Sequence, residues 1–115
     1  MEKFQNHTFV ICAYKESPYL EECIKSVLNQ TVKSNIIMST STPNEYVENL
    51  AKKYNLQLFV NTGKSGIGQD WNFGIGNTKT DYVTVAHQDD IYKENYLEEI
   101  VKYLNKGKDF VIAFS

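Results

Sequence analysis

The sequence contains no arginine, and all 12 of its basic residues are lysines. Acidic residues number 14, so the formal net charge is -2 at pH 7. Proteins that read nucleic acids usually carry basic patches and use the bidentate guanidinium of arginine to contact bases and phosphates. The composition therefore argues against a reader of DNA or RNA, and we expect no nucleic-acid partner.

The sequence also lacks a long apolar run and a cysteine framework. No stretch approaches the roughly 20 residues that a helix needs to cross a bilayer, and the N-terminus has no apolar signal core. Cys12 and Cys23 are the only cysteines, and their spacing suits neither a zinc site nor a disulfide framework. Both fall at apolar positions of the pattern and are predicted to be buried thiols. These absences predict a cytoplasmic protein in a reducing setting, with no membrane span in this chain.

The sequence does contain the composition of one folded domain. A hydrophobic fraction of 42% in 115 residues is enough for one sizeable core. Short β-rich runs alternate with segments whose apolar residues are three and four apart, which is typical of strands alternating with amphipathic helices. The five predicted strands are Thr8–Ala13, Asn35–Met38, Leu56–Val60, Asp81–Ala86 and Phe110–Phe114. The four helical stripes between them start at Leu20, Val47, Ile67 and Leu97.

Strands that crossover helices bury on both faces read as continuous apolar runs. The pattern therefore predicts an α/β fold, an open, mainly parallel, twisted sheet with flanking helices. Ser17-Pro18 and Thr42-Pro43 each place a helix N-cap candidate before a proline, and Gly107 is placed to end the fourth helix. Because the chain stops directly after the fifth predicted strand, without a helix to cover it, we expect a single domain that is truncated.

The loop His87-Gln88-Asp89-Asp90 is the sharpest chemical signal in the sequence. Ligands of open α/β sheets bind beyond the carboxyl ends of the strands, and this loop follows the fourth predicted strand. Two adjacent carboxylates repel each other and need a compensating cation. Hard oxygen ligands suit Mg²⁺ or Mn²⁺, which take one or two carboxylates together with substrate phosphates. The loop thus predicts a metal site at Asp89 and Asp90.

Two other interpretations of this loop are open. Asp89 and Asp90 would also suit the N-terminus of a helix beginning near Lys93, where the helix dipole favours acidic side chains. His87 is either a third metal ligand or a histidine that forms structural hydrogen bonds at the end of its strand.

A second polar loop, after the third predicted strand, contains Gly63-Lys64-Ser65. It imitates part of a phosphate-binding P-loop, but that motif needs a glycine five residues before Gly63, where Leu58 stands. Glycines at a helix start still permit close backbone approach, and Lys64 is a candidate contact for an anion. A flexible turn is the alternative explanation.

Taken together, these segments resemble the family 2 glycosyltransferases, which are inverting enzymes with the GT-A nucleotide-sugar fold. Phe9–Glu16 and Tyr19–Thr31 are similar to the first strand and first helix of that family. Its Asn-x-Gly and later Asn signature is matched by Asn61, Gly63, Gly66 and Asn72, and its D-x-D type of metal motif by His87–Asp90. The resemblance covers essentially the whole chain and corresponds to the N-terminal, donor-binding half of a family catalytic domain.

The resemblance implies binding of a nucleotide-diphosphate sugar. The sugar would be transferred, with Mn²⁺ or Mg²⁺ on Asp89 and Asp90, to a saccharide or lipid-linked acceptor in cell-surface polysaccharide biosynthesis. The implied nucleotide-sugar contacts are Ala13, Tyr14, Glu16, Thr40, Lys64, Asn72, Gln88 and Asp89, with Tyr14 stacking on the base. The family's catalytic base would lie beyond Ser115, so no catalytic residue is assigned.

Three departures from the family pattern leave the nucleotide unassigned. His87 replaces the first Asp of the D-x-D motif, Ser39 and Thr40 replace an acidic pair after the second strand, and Trp71 replaces an Arg.

Two other classes of protein are alternatives. A receiver-like signalling module also has five strands and alternating helices, but it needs an acidic pair after the first strand, where Tyr14 and Lys15 stand. A non-catalytic interaction domain would keep the fold and would not need the Asp89 and Asp90 pair.

Overall fold

The computed structural model describes residues 3–63, 67–104 and 112–114, in which strands and helices alternate. The strands are β1 (Lys3–Ala13), β2 (Lys33–Thr40), β3 (Gln57–Val60), β4 (Tyr82–His87) and β5 (Ile112–Phe114). The helices are α1 (Leu20–Leu28), α2 (Glu45–Lys53), α3 (Ile67–Gly76) and α4 (Tyr96–Leu104). No helix in these described ranges is long and apolar enough to cross a membrane.

The strands form one sheet in the order β3-β2-β1-β4-β5, and every neighbouring pair is parallel. This confirms the open parallel sheet with flanking helices. The order runs one way from β1 to β3 and the other way from β1 to β5, so it reverses between β1 and β4. A receiver-like module has the order 2-1-3-4-5. The receiver interpretation is therefore wrong on topology.

The two faces of the sheet carry cores of different size. Alternate residues of β1, such as Phe9 and Ile11, point to the face that α1, α2 and α4 cover, and both are at most 1% exposed. Val10 points the other way, into a smaller cluster with Val83, Val85 and residues of α3. Burying an aliphatic or aromatic side chain of this size contributes about 1.5–3 kcal/mol, so the larger cluster supplies most of the stabilisation.

The helix α3 lies close against the sheet because of Gly74. A Cβ atom at this position would be 2.6 Å from Val10 Cγ1 and 3.0 Å from Ser39 Oγ. A real side chain does not tolerate such a distance to Val10, so the close approach of α3 requires glycine here.

The prediction for the two cysteines is confirmed for one of them. Cys23, on the buried face of α1, is fully buried, and burial raises the pKa of its thiol to about 12, with smaller contributions from the charges of Asp90 and Asp89. Cys12 is only partly buried, and its sulfur accepts a hydrogen bond from Ser39 Oγ at 3.7 Å. Burial also raises the pKa of the Cys12 thiol.

The first strand begins at Lys3, five residues before the predicted start at Thr8. The added segment is polar apart from Phe4 and therefore carries no β-type apolar run. Its last residue, His7, is nevertheless 1% exposed, because its ring nitrogens contact Ser34 Oγ at 3.0 Å and Thr84 Oγ1 at 2.8 Å. Side-chain hydrogen bonds from two neighbouring strands allow a polar residue to occupy a buried position.

Both predicted N-caps are wrong by about two residues. The helix α1 begins at Leu20 rather than after Ser17, so Pro18 lies in the preceding turn. The helix α2 is capped by Asn44 rather than Thr42, and Asn44 Oδ1 accepts the N–H of Val47 at 2.9 Å. An asparagine cap satisfies the free N–H groups of the first turn as well as a threonine does. Gly107, predicted to end the fourth helix, lies outside the described residues.

Candidate functional site

The candidate site is the crevice between the loops that follow β1 and β4, residues 14–19 and 88–95. In an open α/β sheet a ligand crevice forms where the strand order reverses, outside the carboxyl ends of the strands. Here that point lies between β1 and β4, whose pairing runs from His7 beside Tyr82 to Cys12 beside His87. We call this the β1/β4 crevice.

A reciprocal pair of hydrogen bonds joins the two loops directly above the sheet. The backbone N–H of Tyr14 donates to Gln88 Oε1 at 2.9 Å, and Gln88 Nε2 donates to the carbonyl of Tyr14 at 3.0 Å. Beyond the last residue pair of β1 and β4, the amide side chain of Gln88 therefore bonds to the Tyr14 backbone as a neighbouring strand would. Tyr14 remains 50% exposed, and Lys15 Nζ lies 5.2 Å from the centroid of its ring.

The acidic pair lies in a tight turn at the end of β4. The N–H of Asp90 donates to the carbonyl of His87 at 3.0 Å, which closes the turn around Gln88 and Asp89. Asp89 is exposed and Asp90 is partly exposed. One carboxylate oxygen, Asp89 Oδ1, accepts a hydrogen bond at 2.9 Å from Ser17 Oγ in the loop after β1. The crevice is thus crossed by two side-chain contacts.

The helix-cap interpretation of the acidic pair is wrong. The helix α4 begins at Tyr96, six residues after Asp90, and the N–H of Tyr96 donates to the carbonyl of Lys93. Neither aspartate is within reach of an N-cap position, which directly precedes the first helical residue.

His87 does not complete a three-residue metal site in the described part of the chain. Its ring packs edge-on against Trp71 of α3, with centroids 5.1 Å apart. Within the described residues no group of three or more His, Cys, Asp or Glu side chains is arranged to hold a metal ion. The ligand interpretation of His87 as a third member of such a group is therefore unsupported.

The chemistry of Asp89 and Asp90 nonetheless fits Mg²⁺ or Mn²⁺. Such ions are commonly held by one or two carboxylates while phosphate oxygens and waters complete the coordination. The structure provides two carboxylates at an exposed turn, one of them already oriented by a hydroxyl. A zinc site built from protein ligands alone would need more groups than these.

The loop after β1 is also fastened to the loop after β2. Lys15 has a positive φ of 55°, a backbone conformation that is uncommon for residues other than glycine. Its N–H donates to Thr42 Oγ1 at 2.6 Å, and its carbonyl accepts from Asn44 Nδ2 at 3.1 Å. These two bonds hold the strained residue and so fix the backbone that carries Tyr14.

The other residues predicted to contact the nucleotide-sugar differ in how far they are buried. Ala13, the last residue of β1, is 4% exposed with its side chain in the main core, so only its backbone borders the crevice. Thr40, the last residue of β2, is 3% exposed, and its hydroxyl accepts the N–H of Thr42. Glu16 and Asn72 are exposed, whereas Lys64 lies outside the described residues. All of these contacts remain predictions.

Sequence reasoning missed Asp70, which belongs to the first turn of α3. Its two carboxylate oxygens accept hydrogen bonds from Ser41 Oγ at 3.1 Å and Asn61 Nδ2 at 3.3 Å, at the carboxyl ends of β2 and β3. In the sequence Asp70 has the appearance of an ordinary acidic residue in a first helical turn. Its departure from the apolar stripe of α3 is the only signal that marks it.

The structure is that of an α/β protein with an open parallel sheet and a crevice at its switch point. The family model for glycosyl transferase family 2 matches residues 8–115. The chain therefore belongs to glycosyl transferase family 2, as its motifs suggested.

Named relatives agree with this assignment. The chain is 32% identical over 111 residues to an uncharacterized glycosyltransferase of Rickettsia felis, covering 91% of this chain and 18% of that protein. It is 32% identical over 111 residues to glycosyltransferase GlyG of Streptococcus pneumoniae, covering 90% and 37%. It is 30% identical over 113 residues to an uncharacterized glycosyltransferase of Haemophilus influenzae, covering 93% and 35%. The chain thus spans between 18% and 37% of the length of these relatives.

Among solved structures, the chain is similar to residues 1–349 of S. aureus TarS, with a TM-score of 0.78 and 14% identity. The similarity covers 89% of this chain and 33% of that one. At this identity the likeness concerns the fold alone, and it confirms the predicted GT-A type of α/β architecture.

Proposed function

We propose that this chain binds the nucleotide-sugar donor of an inverting glycosyltransferase in the β1/β4 crevice. The observation that carries the proposal is the arrangement of this crevice in a family 2 member. Two adjacent carboxylates, those of exposed Asp89 and partly exposed Asp90, follow β4, and an exposed aromatic residue, Tyr14, follows β1. The carboxylate pair suits a diphosphate with a divalent cation, and Tyr14 suits a nucleobase.

In this proposal Asp89 and Asp90 hold Mn²⁺ or Mg²⁺ against the diphosphate. When bound, the ion supplies positive charge that stabilises the diphosphate as it leaves the sugar. The two carboxylates contribute the fixed negative charge that retains the ion. Because Asp89 is already hydrogen-bonded to Ser17, less conformational freedom is lost when it binds.

Tyr14 is proposed to stack on the base. Its backbone is fixed by Gln88 on one side and by Lys15 on the other, while the residue remains half exposed. Gln88 then contributes by positioning Tyr14, because its amide is already bonded to the Tyr14 backbone. Glu16, Thr40, Lys64 and Asn72 are proposed to line the rest of the donor site, and Ala13 contributes through its backbone.

The wider activity is proposed for the whole protein to which this chain corresponds in part. A saccharide or lipid-linked acceptor would supply the attacking hydroxyl, and the reaction would belong to cell-surface polysaccharide biosynthesis in the cytoplasm. The general base that takes the proton of that hydroxyl is not assigned to a residue of this chain.

Calorimetry with a panel of nucleoside diphosphates tests the proposal. The uridine, guanosine, adenosine, cytidine and deoxythymidine diphosphates are titrated into the chain with Mn²⁺ and again with EDTA. We expect at least one of them to bind with Mn²⁺ and to lose most of its affinity in EDTA. Equal affinity in both conditions would rule out the metal-bridged site, and no binding of any nucleotide would favour the non-catalytic interaction domain.

A further inference from the structure

Ser17, predicted to cap α1, instead bonds to Asp89 in the structure. The sequence pattern made it the N-cap of α1, but α1 begins at Leu20. Ser17 is instead a buried polar residue, 7% exposed, and its hydroxyl donates to Asp89 Oδ1 at 2.9 Å. The two residues are 72 positions apart in the chain. The contact therefore depends on the fold and crosses the β1/β4 crevice.

Three other hydrogen bonds fix Ser17 itself. Its carbonyl accepts from the hydroxyl of Tyr46 in α2 at 2.6 Å and from the N–H of Leu20 at 3.2 Å. Its own hydroxyl oxygen accepts the N–H of Tyr19 at 3.2 Å. A serine hydroxyl has a single proton to donate. The bond from the N–H of Tyr19 holds the hydroxyl oxygen in place, and its one proton is donated to Asp89.

We infer that Ser17 is a positioning residue that holds Asp89 in the orientation in which it binds a divalent cation. The inference rests on the proposed function, because that proposal assigns the cation to Asp89. The hydroxyl engages Oδ1, so Oδ2 is the Asp89 oxygen that accepts no hydrogen bond from the residues that the structure describes. An exposed aspartate without such a partner would sample several rotamers and would lose that freedom on binding the ion.

The alternative is that the contact only joins two loops and stabilises the fold. Both explanations predict some loss of stability when the hydroxyl is removed. Only the positioning role predicts weaker cation binding by folded protein. Partners that orient metal-binding side chains typically change metal affinity by about 10-fold to 100-fold when they are removed. Asp89 is exposed, so we expect the lower end of that range, roughly tenfold.

The experiment measures Mn²⁺ binding to the metal-free chain, with free Mn²⁺ counted by electron paramagnetic resonance. Ser17→Ala removes the hydroxyl, and Ser17→Cys keeps a side chain of similar size with a much weaker donor. Ser26→Ala is the matched control, since Ser26 Oγ donates at 2.8 Å to the carbonyl of Cys23 within its own helix. Urea unfolding of each variant without Mn²⁺ reports stability separately.

We expect the dissociation constant for Mn²⁺ to rise roughly tenfold in Ser17→Ala, to rise less in Ser17→Cys and to stay at the wild-type value in Ser26→Ala. A Ser17→Ala variant that is less stable but binds Mn²⁺ as the wild type does would overturn the inference. If Ser17→Ala does not fold, unchanged Mn²⁺ binding by Ser17→Cys would overturn it instead. Absence of Mn²⁺ binding by the wild type, both alone and with each nucleoside diphosphate of the panel, would contradict the proposed function itself, which distinguishes the two failures.

Discussion

The two ends of the β1 and β4 strand pair both carry polar side chains, but those side chains have different partners. At the amino end they bond to one another. His7 is held between Ser34 and Thr84, and Thr8 Oγ1 lies 2.7 Å from Thr80 Oγ1. Burial lowers the pKa of His7 to about 4, so its ring is neutral at pH 7.

At the carboxyl end the side-chain contacts fix the loops and leave Tyr14 and Asp89 exposed. Gln88 bonds to the backbone of Tyr14, and Ser17 bonds to one oxygen of Asp89. Tyr14 is 50% exposed, and Asp89 is exposed as well. Polar residues at a strand end therefore do not by themselves indicate a binding site. The carboxyl end differs because Tyr14 and Asp89 are fixed by neighbouring side chains and still remain exposed.

The largest effect that we expect concerns the amino end. The folded-state pKa of His7 is about 4, below the ordinary value of 6.5. Between these values the unfolded chain binds more protons, so the stabilisation from neutral His7 is complete above pH 6.5 and is lost as the pH falls toward 4. The loss amounts to roughly 3 kcal/mol of the free energy of unfolding. Urea unfolding at a series of pH values measures it.

The variant His7→Gln is the control for this prediction. Glutamine keeps hydrogen-bonding groups but does not titrate. The difference between wild type and variant in the pH dependence of the free energy of unfolding therefore gives the contribution of His7 without that of the carboxylates. A pH dependence that is identical in both proteins would show that His7 is not the buried neutral group described here.

At the carboxyl end, Tyr14→Ala should weaken nucleoside diphosphate binding by about 1–3 kcal/mol, the range found for base stacking on aromatic side chains. Tyr14→Phe should be nearly silent, because it retains the ring. Calorimetry with the nucleotide that binds the wild type measures both variants. If the Phe variant were as impaired as the Ala variant, the hydroxyl would be the contact and stacking would be the wrong explanation.

A smaller effect is expected for Gln88→Ala, which removes both bonds to the Tyr14 backbone. These bonds are exposed, so together we expect a loss of about 1 kcal/mol in the free energy of unfolding. Gln69→Ala, at an exposed position of α3, is the matched control and should change stability by less than about 0.5 kcal/mol. Chemical unfolding of the pair gives the comparison. Equal stability of the two variants would mean that Gln88 does not join the loops.

The sequence predicted the alternation of strands and helices because each element has its own apolar periodicity. It did not predict that β1 begins at Lys3, since the polar residues there are stabilised by partners on other strands. Ser17 was assigned to a helix cap because a serine before a proline fits that local rule. The acceptor of its hydroxyl proton, Asp89, becomes visible only when β1 and β4 are placed side by side.

For the candidate site as well, local features could be predicted from the sequence and contacts between distant loops could not. The adjacent aspartates at the end of β4 stand out in the sequence, because two neighbouring charges at a strand end are unusual. The role of Gln88 depends on a contact with Tyr14, 74 positions away. Asp70 gave almost no signal because a first helical turn commonly carries an acidic residue. Pairings between distant loops are set by topology, and a local pattern does not contain them.

Removing one charge from each end of β4 tests whether the carboxyl end of the β1 and β4 pair binds a metal-bridged diphosphate. Asp89→Asn neutralises the carboxylate in the crevice. Asp81→Asn is its matched control at the amino end, where Asp81 Oδ2 accepts from Asn6 Nδ2 at 3.1 Å. Nucleoside diphosphate binding is measured by calorimetry with Mn²⁺. We predict that Asp89→Asn loses at least tenfold in affinity, by the range for altered metal sites, while Asp81→Asn binds like the wild type. Equal affinities in the two variants would mean that Asp89 holds no metal-bridged diphosphate.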